Sequence, residues 1–139
     1  MPDYDFSRLR AMFINGTLKP SPEPSHTDGL VQASAQLMRK HGVTVEVLRA
    51  VDHDIATGVW PDMTEHGAAS DAWPEIFPRV LASDILVVAG PIWLGDNSSV
   101  TKRVIEWAPD RREITGPHPS PSPASRARDR WELQGRSHD

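Results

Sequence analysis

Asp84-Ile85-Leu86-Val87-Val88-Ala89-Gly90, running on into Pro91-Ile92-Trp93-Leu94-Gly95-Asp96-Asn97, is the stretch that decides the fold. A continuous aliphatic run closed by Gly-Pro has no polar alternation, so it predicts a parallel strand covered on both faces. Parallel neighbours need long crossover connections, usually helical. Helices stand on both sides of the run. Downstream, Ser98 or Ser99 caps a helix through Val100, Val104 and Ile105 to Trp107. Upstream, Asp71-Ala72-Trp73-Pro74 opens another, with Asp71 as the expected N-cap and Ile76, Phe77, Val80 and Leu81 as its apolar face. Pro78 is expected to kink or split it.

Working back toward the N-terminus, Leu9 to Asn15 is a short apolar run closed by Asn15-Gly16, a strand ending in a loop. Pro20, Pro22 and Pro24 hold the following residues extended. A helix follows from Thr27 to His41, with Leu30, Val31, Ala33, Leu37 and Met38 as its expected apolar positions and Gly42 past its end. Val43, Val45, Val47 and the run to Val51 alternate as a strand. The polar stretch from Asp52 to Ser70 is a long loop anchored at Trp60-Pro61. Strand and helix thus alternate three times over. With right-handed crossovers this builds a doubly wound parallel sheet in the order 2-1-3, a three-layer α/β fold.

Composition narrows the function classes. The chain has 139 residues, enough for one core, and a formal net charge of -4, which offers no basic surface for nucleic acid. It has no cysteine, so disulfides, thiolate nucleophiles and cysteine-held metals are out. The histidines are scattered and predict no metal site. No stretch has the apolar length of a membrane span, so a cytoplasmic protein without membrane contact is expected. After Ala108, Pro, Ser and Arg dominate; residues 108–139 read as a disordered tail.

In a doubly wound sheet, ligands bind beyond the carboxyl ends of the strands where the strand order reverses, here between the first and third strands. The loop after the first strand offers hydroxyls at Thr17, Ser25 and Thr27, the charge of Lys19, and the first N–H groups of a helix. That chemistry suits one phosphate. Neither the Gly-Lys-Ser/Thr ending of a P-loop nor a Gly-x-Gly-x-x-Gly fingerprint is present. Asp52-His53-Asp54 reads as a solvent-facing triplet and Lys102 as a solvated helix residue.

The two loops together resemble the NADPH-dependent FMN reductase and flavodoxin-like NAD(P)H:quinone reductase families. Gly16-Thr17, Lys19, Ser25 and Thr27 match the families' first loop; Pro91-Ile92-Trp93-Leu94-Gly95-Asp96 with Ser98, Ser99 and Lys102 match the run after the third strand. The resemblance covers about residues 8–107. It implies a flavodoxin-like FMN-binding domain, truncated to strands 2-1-3, with the tail in place of the families' remaining strands. Thr17, Ser25 and Thr27 would bond the FMN phosphate, Lys19 would add charge and His26 a backbone N–H. Pro91, Ile92, Trp93, Leu94 and Gly95 would line the isoalloxazine ring. It further implies NAD(P)H as electron donor, a quinone or flavin as small-molecule acceptor, a homo-oligomer, and no catalytic side chain, since the flavin carries the redox chemistry. The alternative is a non-catalytic flavodoxin-like remnant without stable flavin binding.

Overall fold

The computed structural model describes residues 4–107; the tail at 108–139 lies outside them. The elements run β1 (Arg10–Asn15), α1 (His26–Lys40), β2 (Thr44–Arg49), 3-10 turns at Ala50–Asp52 and Met63–His66, α2 (Trp73–Leu81), β3 (Ile85–Ala89), β4 (Ile92–Trp93), β5 (Asp96–Asn97) and α3 (Ser99–Trp107). β2, β1 and β3 form a parallel sheet in that order, as the alternation predicts. The chain winds one way from β1 to β2 and back past β1 to β3. Right-handed crossovers then require α1 and α2 on opposite faces.

Side-chain parity shows that they are. Ala11 and Phe13 of β1 pack with Val31 and Ala35 of α1 and with Val43. Met12 and Ile14, on the other parity, pack with Trp73 and Ile76 of α2 and Val104 and Trp107 of α3. Burying Phe13 to 2% exposure contributes about 2–3 kcal/mol. β1 is therefore the strand covered on both faces. β3, whose run predicts that role, is an edge strand among the described residues, and Leu86 is exposed. Its apolar continuity marks a strand with helices nearby but does not say which strand is central.

Several details differ from expectation. α1 turns Val31 and Ala35 to the sheet, where they pack with Ala11, Phe13 and Val43, and leaves Leu30 and Leu37 exposed. β2 stops at Arg49, where a 3-10 turn takes over from the expected run to Val51. α2 continues unbroken through Pro78, and Ala72 rather than Asp71 holds its capping position. Asp71 serves a wider purpose: its carboxylate accepts the N–H groups of Ala56, Met63 and Trp73. Trp107 Nε1 donates to Ala56 O at 2.8 Å and Arg103 to Ile55 O. These bonds hold the long 53–71 segment. Trp60, its expected anchor, is exposed and stacks on His66.

The stretch after β3 is also more ordered than the loop expected there. β4 and β5 pair as a small antiparallel hairpin, and Leu94 and Gly95 turn between them with φ of 51° and 81°. Two consecutive positive φ angles are the type I′ pattern, which favours Asn-Gly. A fully exposed leucine at positive φ gains no burial to offset its strain. Leu94→Asn is thus expected to raise the unfolding free energy by about 1 kcal/mol in urea titrations; a lower midpoint would mean that the leucine makes a stabilising contact.

Candidate functional site

Asn15 ends β1 and sets the geometry of the loop beyond it. It lies on the Ala11–Phe13 parity, so its carboxamide faces α1, and it is fully buried. Its Oδ1 accepts the N–H of Thr17 at 3.0 Å, an Asx turn, while its Nδ2 has no partner among the described residues. A buried donor without a partner costs about 1–3 kcal/mol unless something meets it.

The donors around it remain available. Thr17 is buried, and its Oγ1 accepts the N–H of Lys19 at 3.3 Å. Ser25 caps α1, and its Oγ accepts the N–H of Asp28 at 3.3 Å. Each hydroxyl acts as an acceptor in these bonds, so its own proton is free to donate. The first intrahelical bond runs from Gly29 N to Ser25 O, which leaves the N–H groups of His26 and Thr27 at the open first turn. Lys19 is differently engaged: its Nζ donates to Pro24 O at 3.2 Å and lies 4.0 Å from Glu23. Its charge reaches an anion only in part.

The loop from Lys19 to Pro24 is fastened to the end of β2. Arg49 Nη1 donates to the carbonyls of Lys19, Pro20 and Glu23 at 3.1, 3.2 and 2.8 Å. Its Nη2 lies 3.5 Å from Asp28. Ser21 donates its N–H and its hydroxyl to Asp52, and these bonds, with a smaller attraction from Arg49 and His53, hold that carboxyl below its ordinary pKa. Asp52 is thus a loop fastener and is not merely solvent-facing.

The second loop is joined to the first through hydroxyls. Gly16 N donates to Ala89 O, so the loops leave adjacent strands. Ser98 Oγ donates to Gly16 O at 2.7 Å and accepts the N–H of Thr101 at 3.1 Å, the capping role expected of it. With that proton spent, Thr101 Oγ1 donates across the 2.8 Å contact to Ser98 Oγ. The Thr101 hydroxyl also fills the space beside both glycines: a Cβ on Gly16 would lie 1.9 Å from it, and one on Gly90 2.1 Å. Pro91 is half-buried beyond this junction, whereas Ile92, Trp93, Leu94 and Gly95 stand exposed on the hairpin. Lys102 is exposed, as read.

Sequence reasoning thus names the two loops but misses three residues that shape them. Asn15 and Arg49 carried usable signals: an Asn-Gly-Thr turn, and an arginine on the buried parity of Val43, Val45 and Val47. Ser98, named as a cap and in the second matching run, gains its bond to Gly16 O only in the fold, and Thr101 shows no signal until the strands are adjacent. A cleft of about 210 Å³ lined by Arg10, Thr44, Glu46 and Ser83 lies at the opposite, amino-terminal edge of the sheet. Ligands of such folds bind at the other edge, so the loops take precedence over that cleft.

Known proteins resemble the chain along most of this framework. A protein named divalent metal cation transporter MntH, from Mycobacterium bovis, is 71% identical over 101 residues, covering 73% of this chain and 15% of that protein. The 8-demethyl-8-aminoriboflavin-5′-phosphate synthase of Streptomyces davaonensis is 36% identical over 103 residues, covering 70% of this chain and 40% of the enzyme. Among solved structures, RosB with bound intermediate OHC-RP (8-demethyl-8-formylriboflavin-5′-phosphate) superposes with a TM-score of 0.64 at 32% identity, covering 81% of this chain and 45% of RosB. The chain therefore spans less than half the length of these relatives. Among the described residues no helix is long and apolar enough to cross a membrane. The sequence matches the family described as NADPH-dependent FMN reductase over residues 9–120, past the Trp107 at which the motif resemblance ends. With the flavodoxin-like sheet, the paired loops at its carboxyl edge and this match in agreement, the chain belongs to the NADPH-dependent FMN reductase family.

Proposed function

We propose that this domain binds FMN and serves an NAD(P)H-dependent oxidoreductase that delivers electrons to a quinone or a free flavin. The observation that carries the reading is the set of unspent donors at the carboxyl edge of β1. The Thr17 and Ser25 hydroxyls and the N–H groups of His26 and Thr27 fit a phosphomonoester, an acceptor-only group. These residues would hold the phosphate, with Lys19 adding partial charge. The exposed Ile92, Trp93 and Leu94, with Pro91 and Gly95, would supply apolar surface and backbone groups to the ring. Bound FMN supplies the hydride-accepting chemistry, so the chain's own task is to bind, orient and shield. A homo-oligomer and a cytoplasmic setting belong to the same proposal.

A second reading treats the flavin as substrate. Two relatives carry riboflavin-5′-phosphate derivatives in their names, and the same phosphate donors would serve that chemistry. Purified protein reconstituted with FMN and passed through gel filtration is expected to retain stoichiometric flavin absorbance, bleached by NAD(P)H and restored by a quinone. Loss of all flavin from folded protein would reject the bound-cofactor reading, and absence of FMN binding at equilibrium as well would favour a remnant. Flavin that binds at equilibrium but is lost on gel filtration would favour the substrate reading.

A further inference from the structure

The parity of β2 places an arginine where three valines lead. Val43, Val45 and Val47 pack on the α1 side of the sheet, and Arg49 follows on the same side, opposite Asn15 in the strand register. Its side chain is 10% exposed; among the described residues it pairs with the Asp28 carboxylate, attracts that of Asp52 more weakly, and donates to three backbone carbonyls of the Lys19–Glu23 turn. An arginine so placed joins three parts of the fold: the end of β2, the anion loop, and the first turn of α1.

We propose that Arg49 is the positioning residue of the phosphate cradle: it holds the Lys19–Glu23 turn in shape and cancels the charge of Asp28 at the mouth of the cradle. The inference rests on the FMN reading and adds to it a residue outside both loops. The charge argument is direct. Asp28 lies in the first turn of α1, one residue beyond Thr27, where its carboxylate gains from the helix dipole but repels an incoming phosphate. Lys19 cannot cancel it, being engaged with Glu23 and Pro24. Arg49, itself 10% exposed, stands 3.5 Å from Asp28, whose side chain is 30% exposed, so solvent screens the pair only in part. The shape argument is as direct. Lys19 N bonds Thr17 Oγ1, so movement of the turn that Arg49 holds would carry away the bond that orients the Thr17 hydroxyl.

The test compares full-length wild type, Arg49→Gln, Arg49→Lys, Asp28→Asn and the Arg49→Gln/Asp28→Asn pair. Affinities for FMN and riboflavin are read by flavin fluorescence, and loop order by amide hydrogen exchange. Arg49→Gln is expected to weaken FMN roughly tenfold and riboflavin less than about twofold. Asp28→Asn in that background is expected to restore at least half of the logarithmic loss, which a purely structural role would not permit. Arg49→Lys, which keeps the charge but not the fork of donors, is expected to fall between, and it decides the matter if Arg49→Gln fails to fold. Exchange in residues 18–24 should rise in Arg49→Gln while the β1 and β3 amides stay protected. FMN binding within twofold of wild type, equal losses for both flavins, or no rescue by Asp28→Asn would overturn the proposal alone. Wild-type protein that binds neither flavin would overturn the FMN reading and this proposal together.

Discussion

Gly16→Ala is expected to cost the domain about 3 kcal/mol, seen as a lowered urea midpoint with an unchanged slope. The new methyl would lie 1.9 Å from Thr101 Oγ1, 2.9 Å from its Cβ and 3.1 Å from its Cα, so a rotamer change alone cannot clear it. α3 would have to retreat from β1. That retreat breaks the buried bond between Ser98 Oγ and Gly16 O and loosens Val104 and Trp107 from the core. Gly90→Ala meets the same hydroxyl at 2.1 Å and should behave alike. Thr101→Ala in the Gly16→Ala background removes the nearest contact and should return part of the loss, although alone it should destabilise. Gly29→Ala is the control, because nothing lies within 4 Å of its Cβ position on α1 and alanine favours helix. Similar effects at Gly16 and Gly29 would show that the hydroxyl junction does not hold the two loops together.

The largest effect on ligand binding should come from the paired change Thr17→Val and Ser25→Gly, which is expected to raise the FMN dissociation constant about a hundredfold or more. Valine keeps the shape of threonine while removing its oxygen. Glycine at the capping position costs α1 only a few tenths of a kcal/mol, so it separates the ligand role of Ser25 from its capping role. Hydrogen bonds to a charged group contribute about 1.5–3 kcal/mol each, and riboflavin, lacking the phosphate, gains none of them. Riboflavin affinity should therefore change less than about twofold. An equal loss for both flavins would make the hydroxyls loop fasteners only, and the phosphate would then have to be held by the helix N–H groups.

Much of this was legible in the sequence because it rests on local physics. The alternation of strand and helix, with right-handed crossovers, leads to the observed order 2-1-3 without a tertiary contact. Both loops followed too, since proline excludes helix between Thr17 and Ser25, and Ser98 caps the helix behind the second. What only the tertiary structure decided depends on residues distant in sequence. β1 is the covered strand because both neighbours pair with it, whatever the apolar run in β3 suggests. α1 buries Val31 and Ala35 and exposes Leu30 and Leu37, a rotation fixed by the partners Ala11, Phe13 and Val43 that the sheet presents. Asn15, Arg49 and Thr101 take their roles from neighbours that only the folded sheet supplies. Arg49 reaches back along the chain to Lys19, Pro20 and Glu23, and Thr101 wedges between two strand ends that only pairing brings together. Periodicity records which face a residue presents; a hydrogen bond also requires a partner at about 3 Å, and that distance exists only after the strands have paired.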